Sequence, residues 1–491
     1  MHDSNLSGYV VRADPGAPPA IRRTRLGALR WKATAISRAV VWLQLLVLTL
    51  PRDVTTLPLI YASPLVTVVL LLAFGGFRIQ VGPATALAGV VLTSLLVALL
   101  GPSHLLNVSL SLTTYSSAFL LVLVRGPDDS GRSAVGSWRN ALVVVAVFHS
   151  LVGITQLVGA GFPARLPYRD FSPDVFSSVF GDGGHRLVPL IVAPAAVLVA
   201  LRSMRSGVRV ADVALLALLL VGIIAPGSNA AIMGLLVAGG LMYVTVAAGS
   251  FVRAVQAARP RVRLPSMRLT ALAVPILVVC GGLAVAASLA VGGLPHFRDS
   301  ITRIVESPGD SVRSPKTAVA LQTILQLPRD VPTQPVFGLG LGNYSSWSQL
   351  LLSGVYAERF LDGTGVGLVP VSYRAEAWNY VLFHMTAEMR ARYGFYYIDS
   401  IATQPWSSWQ SLYAETGLLG LALIAMALVA PLRRLRLVRG DSGVLRDTKL
   451  MVGFSLWFVV VMGFTDNLFE YPWLMVPPLL ALALLPSRQR R

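Results

Sequence analysis

Apolar runs recur along this chain from residue 36 to residue 486, and they settle its solvent before they settle its fold. A helix needs about 20 residues to cross a hydrocarbon core about 30 Å thick, and the runs are mostly of that length. One reads LVVVAVFHSLVGITQLVGA from Leu142 to Ala160, another LTALAVPILVVCGGLAVAASLAV from Leu269 to Val291. Hydrophobic residues make up 54% of the chain and charged residues only 13%, a balance that excludes an ordinary soluble domain. The expected fold is all-α and polytopic, with about twelve membrane helices. Their expected spans are 36–50, 57–74, 83–101, 104–124, 140–160, 186–201, 210–226, 229–250, 269–291, 412–431, 450–465 and 470–486. Five segments follow: a basic tail 1–35, nine helices within 36–292, a loop domain 293–411, three helices within 412–486 and a short tail 487–491.

A formal charge of +18 invites a nucleic-acid reading, but the placement of the charge argues against one. Of the 41 Lys and Arg residues, 27 lie in the two tails and in the segments 75–82, 125–140, 202–209, 251–268 and 432–449. The short connections on the other side hold four: Arg52, Arg165, Arg169 and Arg186. That asymmetry is the positive-inside signal, and it puts both termini in the cytoplasm and 293–411 outside. The long loop carries nine basic and nine acidic residues, so it has no excess charge for a nucleic acid. Cys280 is the single cysteine and lies within an apolar run, which rules out a disulfide framework and a cysteine metal site in the loop. Arg22, Arg23, Arg25, Arg30 and Lys32 precede the first run with no small-residue cleavage site after it, so that run is expected to be a retained helix.

Ionisable groups deep in lipid are costly and mark pathways or relays. Asp212, Glu415, Asp466 and Glu470 fall near run ends, and Arg38 is close enough to an end to snorkel. His149 alone is mid-span, sharing a helical face with Gly153 and Gln156 by i, i+4, i+7 spacing. It reads either as a proton relay or, more commonly for such a residue, as a histidine satisfied inside the bundle. No internal repeat of the transporter kind is present.

The loop 293–411 is longer than a connection requires, which makes it the place for chemistry. Thr317–Leu327 reads as a short helix stopped by Pro328. Tyr373–Tyr393 reads as an amphipathic helix with Trp378, Leu382, Met385 and Met389 on one face. Between them stands PVFGLGLGNY, Pro335 to Tyr344, with Gly338, Gly340 and Gly342 at alternate positions. It lacks both the Lys-Ser/Thr of a P-loop and the dinucleotide fingerprint, so by itself it reads as a turn. Further on, WSSWQSLYAETGLLGLALI leads from Trp406 into the tenth run. There, Glu415 before Thr-Gly complements the positive end of a helix.

The combination is more specific than either part. Nine runs, a long external loop holding an arginine and then P-x-x-G-x-G-x-G-N-Y, and finally E-T-G-L-L-G resemble the O-antigen ligase family, which is related to the O-antigen and capsule polymerases. Likeness in topology covers nearly the whole chain; likeness in sequence covers Arg313 to Gly342 and Trp406 to Leu421. The resemblance implies transfer of a glycan from a polyprenyl diphosphate carrier to an acceptor hydroxyl of a glycan or lipid, at the outer face of the membrane. It implies no nucleotide, metal or other cofactor. The family's loop arginine falls on Arg313, its glycine segment on Gly338, Gly340, Gly342 and Asn343, and its Glu-Thr-Gly on Glu415, Thr416 and Gly417. Two positions depart from the pattern. Where the family commonly has His-Asn, nine residues before the glutamate, this chain has Trp406 and Ser407; where it often has Ser-Arg, at the start of the eighth helix, this chain has Ser228 and Asn229. The family's histidine therefore does not carry over.

Such a transfer needs cations for the departing diphosphate and a base for the acceptor hydroxyl. Arg313 and, second, Arg186 are the candidate diphosphate ligands, because a guanidinium fork holds two phosphate oxygens while staying charged. Their bland alternatives are a salt bridge to Asp310 and an interfacial anchor. His185, beside Arg186, and Glu415 are the candidate bases, while His104, His296 and His384 are the other external histidines. Trp406, the glycines and Asn343 complete the expected substrate site. A surface-polysaccharide polymerase and a lipid-linked glycan transporter are the alternative functions.

Overall fold

The computed structural model describes residues 20–51, 56–100, 105–126, 128–161, 175–180, 184–226, 228–256, 325, 327–344, 407–437, 441–464 and 468–486. The ninth run, the expected helix Tyr373–Tyr393, Cys280, His104, His296, His384, Asp310, Arg313, Trp406 and Asp466 lie outside these residues.

The described architecture is all-α apart from one two-residue ribbon. In chain order it comprises α1 (Ala20–Val47), α2 (Leu57–Ala73), β1 (Arg78–Ile79), α3 (Val81–Leu100), α4 (Leu105–Leu123), β2 (Val124–Arg125), α5 (Asp128–Gly159), α6 (Gly184–Ser206), α7 (Val210–Ile224) and α8 (Asn229–Gln256). A single turn α9 (Gln334–Phe337) follows, then α10 (Ser408–Leu432), α11 (Gly443–Met462) and α12 (Pro472–Leu484). Four helical stretches are long and apolar enough to cross a membrane: Val81–Leu100, Ser133–Gly159, Arg186–Ser206 and Ser408–Leu435. Shorter apolar helices are Ala33–Val47, Pro58–Ala73, Val210–Ile224, Ala231–Ala247 and Pro472–Leu484. Helices of this number and kind mark a multi-pass membrane protein.

The bundle has its core at α12, every residue of which is buried. Around it stand α4, α5, α6 and α11, with α1 on α5, α7 on α5 and α6, α8 on α11, and α10 on α3. Outward faces are as apolar as the inside, as on α3, where Leu92 and Leu99 are 59% and 64% exposed. A helix apolar all round needs a solvent that is apolar too. The last carbonyls of α12, unpaired within the helix, are taken up by Gly126 N–H on Ala483 (3.1 Å) and Arg434 Nη1 on Leu482 (2.8 Å). Beside this end the ribbon pairs Arg78 with Arg125 and Ile79 with Val124.

Several expected boundaries shift. α1 begins at Ala20 rather than 36, inside the segment expected as a tail. α5 begins at Asp128 rather than near 140, and α11 at Gly443 rather than 450. Each helix continues beyond its apolar edge because its polar turns are held: Arg38 Nε donates to Ser133 Oγ (2.6 Å), and Ser442 caps α11 by accepting from Leu445 N (3.3 Å). The helical turn around Leu327 does not stop at Pro328. Residues 327–330 are helical, with Val331 N bonded to Leu327 O (2.9 Å), since proline suits a helical φ and lacks only a donor.

Candidate functional site

The glycine segment and the Glu-Thr-Gly segment, about seventy residues apart in sequence, are packed against one another. α10 is not a continuous helix. Gly417 has φ 61° and ψ −171°, so the backbone breaks there and a second helical half starts just beyond it. Into that break fits the chain around Gly338, whose φ is 75°. A Cβ built on Gly338 falls 2.2 Å from the Glu415 carbonyl oxygen, and one built on Gly417 falls 2.4 Å from the Val336 carbonyl oxygen. Each glycine is therefore required twice, for its left-handed φ and for the closeness of the other strand of backbone.

Hydrogen bonds seal the joint. Leu339 N–H donates to Ala414 O (2.9 Å), Gln334 Nε2 to Tyr413 O (3.2 Å), and Gln410 Nε2 to the Tyr344 hydroxyl (3.0 Å). Glu415, fully buried, accepts the Tyr344 N–H at Oε1 (3.4 Å). Leu339, Tyr344 and Ala414 form a small core with Leu327. On its other flank the segment meets α3 and α4. The Gly342 Cβ position lies 2.2 Å from Ser111 Oγ and 2.6 Å from Asn107 O, and Asn107 Nδ2 donates to Asn343 Oδ1 (3.2 Å). Gly340 has φ 81° and approaches Ser94 O. Everything from Gly338 to Tyr344 is buried, so this is a fixed turn with a glycine at every second place.

The N-terminal half of α10 is anchored as firmly. Ser407 caps it, accepting from Gln410 N (3.4 Å). Ser408 N–H donates to Gly463 O (2.8 Å), while Ser408 Oγ accepts from Leu468 N (2.6 Å) and Phe469 N (3.2 Å). Trp409 Nε1 donates to Val460 O (2.9 Å), and its ring stands edge-on to Phe469. Ser407 thus occupies a position where the resembling family departs, and its role here is a helix cap. Ser228, at the other departure, caps α8 by accepting from Ala231 N (3.2 Å).

His185 and Arg186 stand in the first turn of α6, which packs on α5, α7 and α11 rather than on α3 and α10. His149 is buried, with Nδ1 2.8 Å from Ser178 Oγ and its ring stacked on Phe180. Gln156 clamps the same serine twice, donating to Ser178 O (2.7 Å) and accepting from Ser178 N (2.8 Å). Gly153 leaves room for Phe176, which comes within 2.3 Å of its Cβ position. The face shared by His149, Gly153 and Gln156 is a seat for the 175–180 turn, and the histidine is satisfied at Nδ1 only, its buried Nε2 having no hydrogen-bond partner among the described residues.

Among the described residues no group of three or more His, Cys, Asp or Glu stands ready for a metal ion. Asn107, Ser111, Gln334, Tyr344 and Gln410 join the site without having been singled out. One signal was there to find: Asn107, Ser111 and Thr114 follow i, i+4, i+7 in an apolar run and are all buried. No family model matches this chain, and no curated protein does either. The family likeness therefore rests on the residues themselves.

Proposed function

We propose that the chain is a metal-independent glycosyltransferase of the O-antigen ligase type, moving a glycan from polyprenyl diphosphate to an acceptor hydroxyl outside the cytoplasmic membrane. The observation that supports this is the joint between Gly338–Tyr344 and Glu415–Gly417, since the two segments that carry the resemblance meet in space. In this reading the chain crosses the bilayer twelve times with both termini inside. The arginine-bearing connections support it: Arg205 of α6 pairs with Asp447 of α11 (2.6 Å), Arg78 faces Arg125, and Arg434 closes α12, all at one end of the bundle. The glycine segment touches Asn107, near the start of α4, and so lies at the opposite end from the ribbon that follows α4.

The acceptor oxygen attacks the anomeric carbon as the bond from that carbon to the diphosphate oxygen breaks. The acceptor proton passes to a base, and the polyprenyl diphosphate leaves with its charge held by arginine. Arg313 is assigned to that diphosphate and Arg186 is the second candidate. Glu415 is sealed in the joint with Tyr344 N–H on its carboxylate, which suits a post for the glycine turn, so His185 is taken as the base. The turn spends the N–H groups of Gly338, Leu339, Asn343 and Tyr344 on protein acceptors, and its part is to shape the floor of the site.

The test is transfer by purified protein, with Arg313→Ala expected to abolish it at normal abundance. Each 1.4 kcal/mol of lost transition-state stabilisation slows the step about tenfold, and Arg313→Lys keeps the charge without the fork. Near-normal transfer by Arg313→Ala would sink the role. In a deletion strain, a full-length lipid-linked chain should accumulate; single repeat units instead indicate a polymerase. Movement of lipid-linked glycan in vesicles without acceptor indicates a transporter.

A further inference from the structure

Where α12 ends, two neighbouring carbonyls hold two other elements in place. Arg434 Nη1 donates to Leu482 O (2.8 Å) and Gly126 N–H to Ala483 O (3.1 Å). These bonds set the Arg434 guanidinium beside β2, where Arg125 directly precedes Gly126 and stands opposite Arg78 in the ribbon. The Arg125 charge is felt at Arg434. Residues directly opposite in an antiparallel pair share a face, so one corner of the bundle gathers three arginines.

Arg434 is 9% exposed, and its Nη2 is buried with no hydrogen-bond partner among the described residues. Capping α12 accounts for Nη1 and leaves the second nitrogen over. No carboxylate neutralises it among the described residues either. Asp212 is paired with Arg202, Asp447 with Arg205 (2.6 Å), and Asp441, the nearest acidic residue along the chain, with Lys449 (2.8 Å). A buried guanidinium that has given one bond to a carbonyl and meets no negative charge is costly unless something supplies both. Arg78 and Arg125 are exposed at the rim. Apolar side chains beside these arginines are exposed as well: Ile79 is 58% and Leu432 41% exposed.

We infer that Arg434, Arg125 and Arg78 form a binding site for a phosphate group, with Arg434 Nη2 as its inner ligand and the other two arginines at its mouth. A phosphate brings several oxygens and a full charge, so it takes the remaining fork nitrogen and still answers the outer guanidinium groups. A phospholipid headgroup offers that chemistry at the end of a membrane helix, with its chains along the exposed apolar side chains. Soluble phosphate offers the same chemistry without the chains. The site takes no part in the proposed transfer and stands if that reading falls.

The experiment uses full-length protein purified in detergent. One arm adds phosphatidylglycerol and counts adducts by native mass spectrometry, and the other follows unfolding temperature against inorganic phosphate at constant ionic strength. Saturable retention of one phosphatidylglycerol, weakened about tenfold in Arg434→Gln, identifies a headgroup site. A saturable rise in unfolding temperature with inorganic phosphate, with affinity about tenfold weaker in Arg434→Gln, identifies a soluble ligand. Tenfold is about what the loss of one charge-assisted hydrogen bond produces. Should Arg434→Gln not fold, since Arg434 also caps α12, Arg78→Gln at the exposed rim carries the same expectation. Arg209→Gln, an exposed arginine at the start of α7, should leave either affinity as in wild type. Wild-type affinity in the folded Arg434 or Arg78 variant, equal weakening in Arg209→Gln, or no saturable binding of either probe overturns the site.

Discussion

Gly417 and Gly338 have no room for a side chain, because each faces a carbonyl oxygen of the segment the other belongs to. Gly417→Ala should therefore lose more than the about 1 to 2 kcal/mol that a left-handed φ costs an L-residue, and melting temperature in detergent reads that loss. Gly240→Ala is the control, since nothing lies within 4 Å of its Cβ position in α8. It should be neutral, or stabilising by up to about 1 kcal/mol. Gln156→Ala strips Ser178 of an N–H acceptor and a C=O donor at once. Since a buried group left unsatisfied costs about 1 to 3 kcal/mol, at least about 2 kcal/mol should be lost, and a melting temperature equal to wild type would contradict the clamp. His149 was legible as a special residue in the sequence, but Ser178, its partner in the structure, was not. A serine with φ 55° in a loop has no signature in spacing or hydropathy.

At the scale of the element, α10 shows how much a hydropathy profile conceals. The apolar run at 412–431 marks a helix correctly, yet apolarity passes through Gly417 without interruption while the backbone does not. The break exists because Val336 and Gly338 occupy the space that a continuous helix would close. Its first half is tied to Leu468 and Phe469 through Ser408, whose hydroxyl accepts both of their backbone N–H groups. Ser408→Ala is expected to cost at least about 2 kcal/mol and to loosen the glycine turn with it. Hydrogen exchange should then rise together at Leu468, Phe469 and Tyr344. Faster exchange at Leu468 and Phe469 alone would show that the two halves of the joint are not coupled.

For the whole molecule the decisive prediction is sidedness. In a protein whose Cys280 has been replaced, a cysteine introduced at Ser345, next to the buried turn, should react with a membrane-impermeant thiol reagent in intact cells. One introduced at Gly440, between α10 and α11, should react only after permeabilisation. Failure at Ser345 removes the external site and the transferase reading together.

The sequence by itself determined the solvent, the helical class, the approximate position of each described run and the side on which the arginines gather. These follow from local quantities, namely the length of an apolar stretch and the charge beside it, which the bilayer reads one segment at a time. Tertiary structure alone decided that the 338–344 turn fills a break in α10, that Asn107 and Ser111 are its neighbours, and that Arg205 pairs with Asp447. In lipid a hydrophobic face carries no instruction about which helix to meet, since the tails are as apolar as the partner. Pairing is left to close backbone approach and to a few polar contacts. Asn107 and Asn343, 236 residues apart, are one such contact, and no periodicity in a single sequence records it.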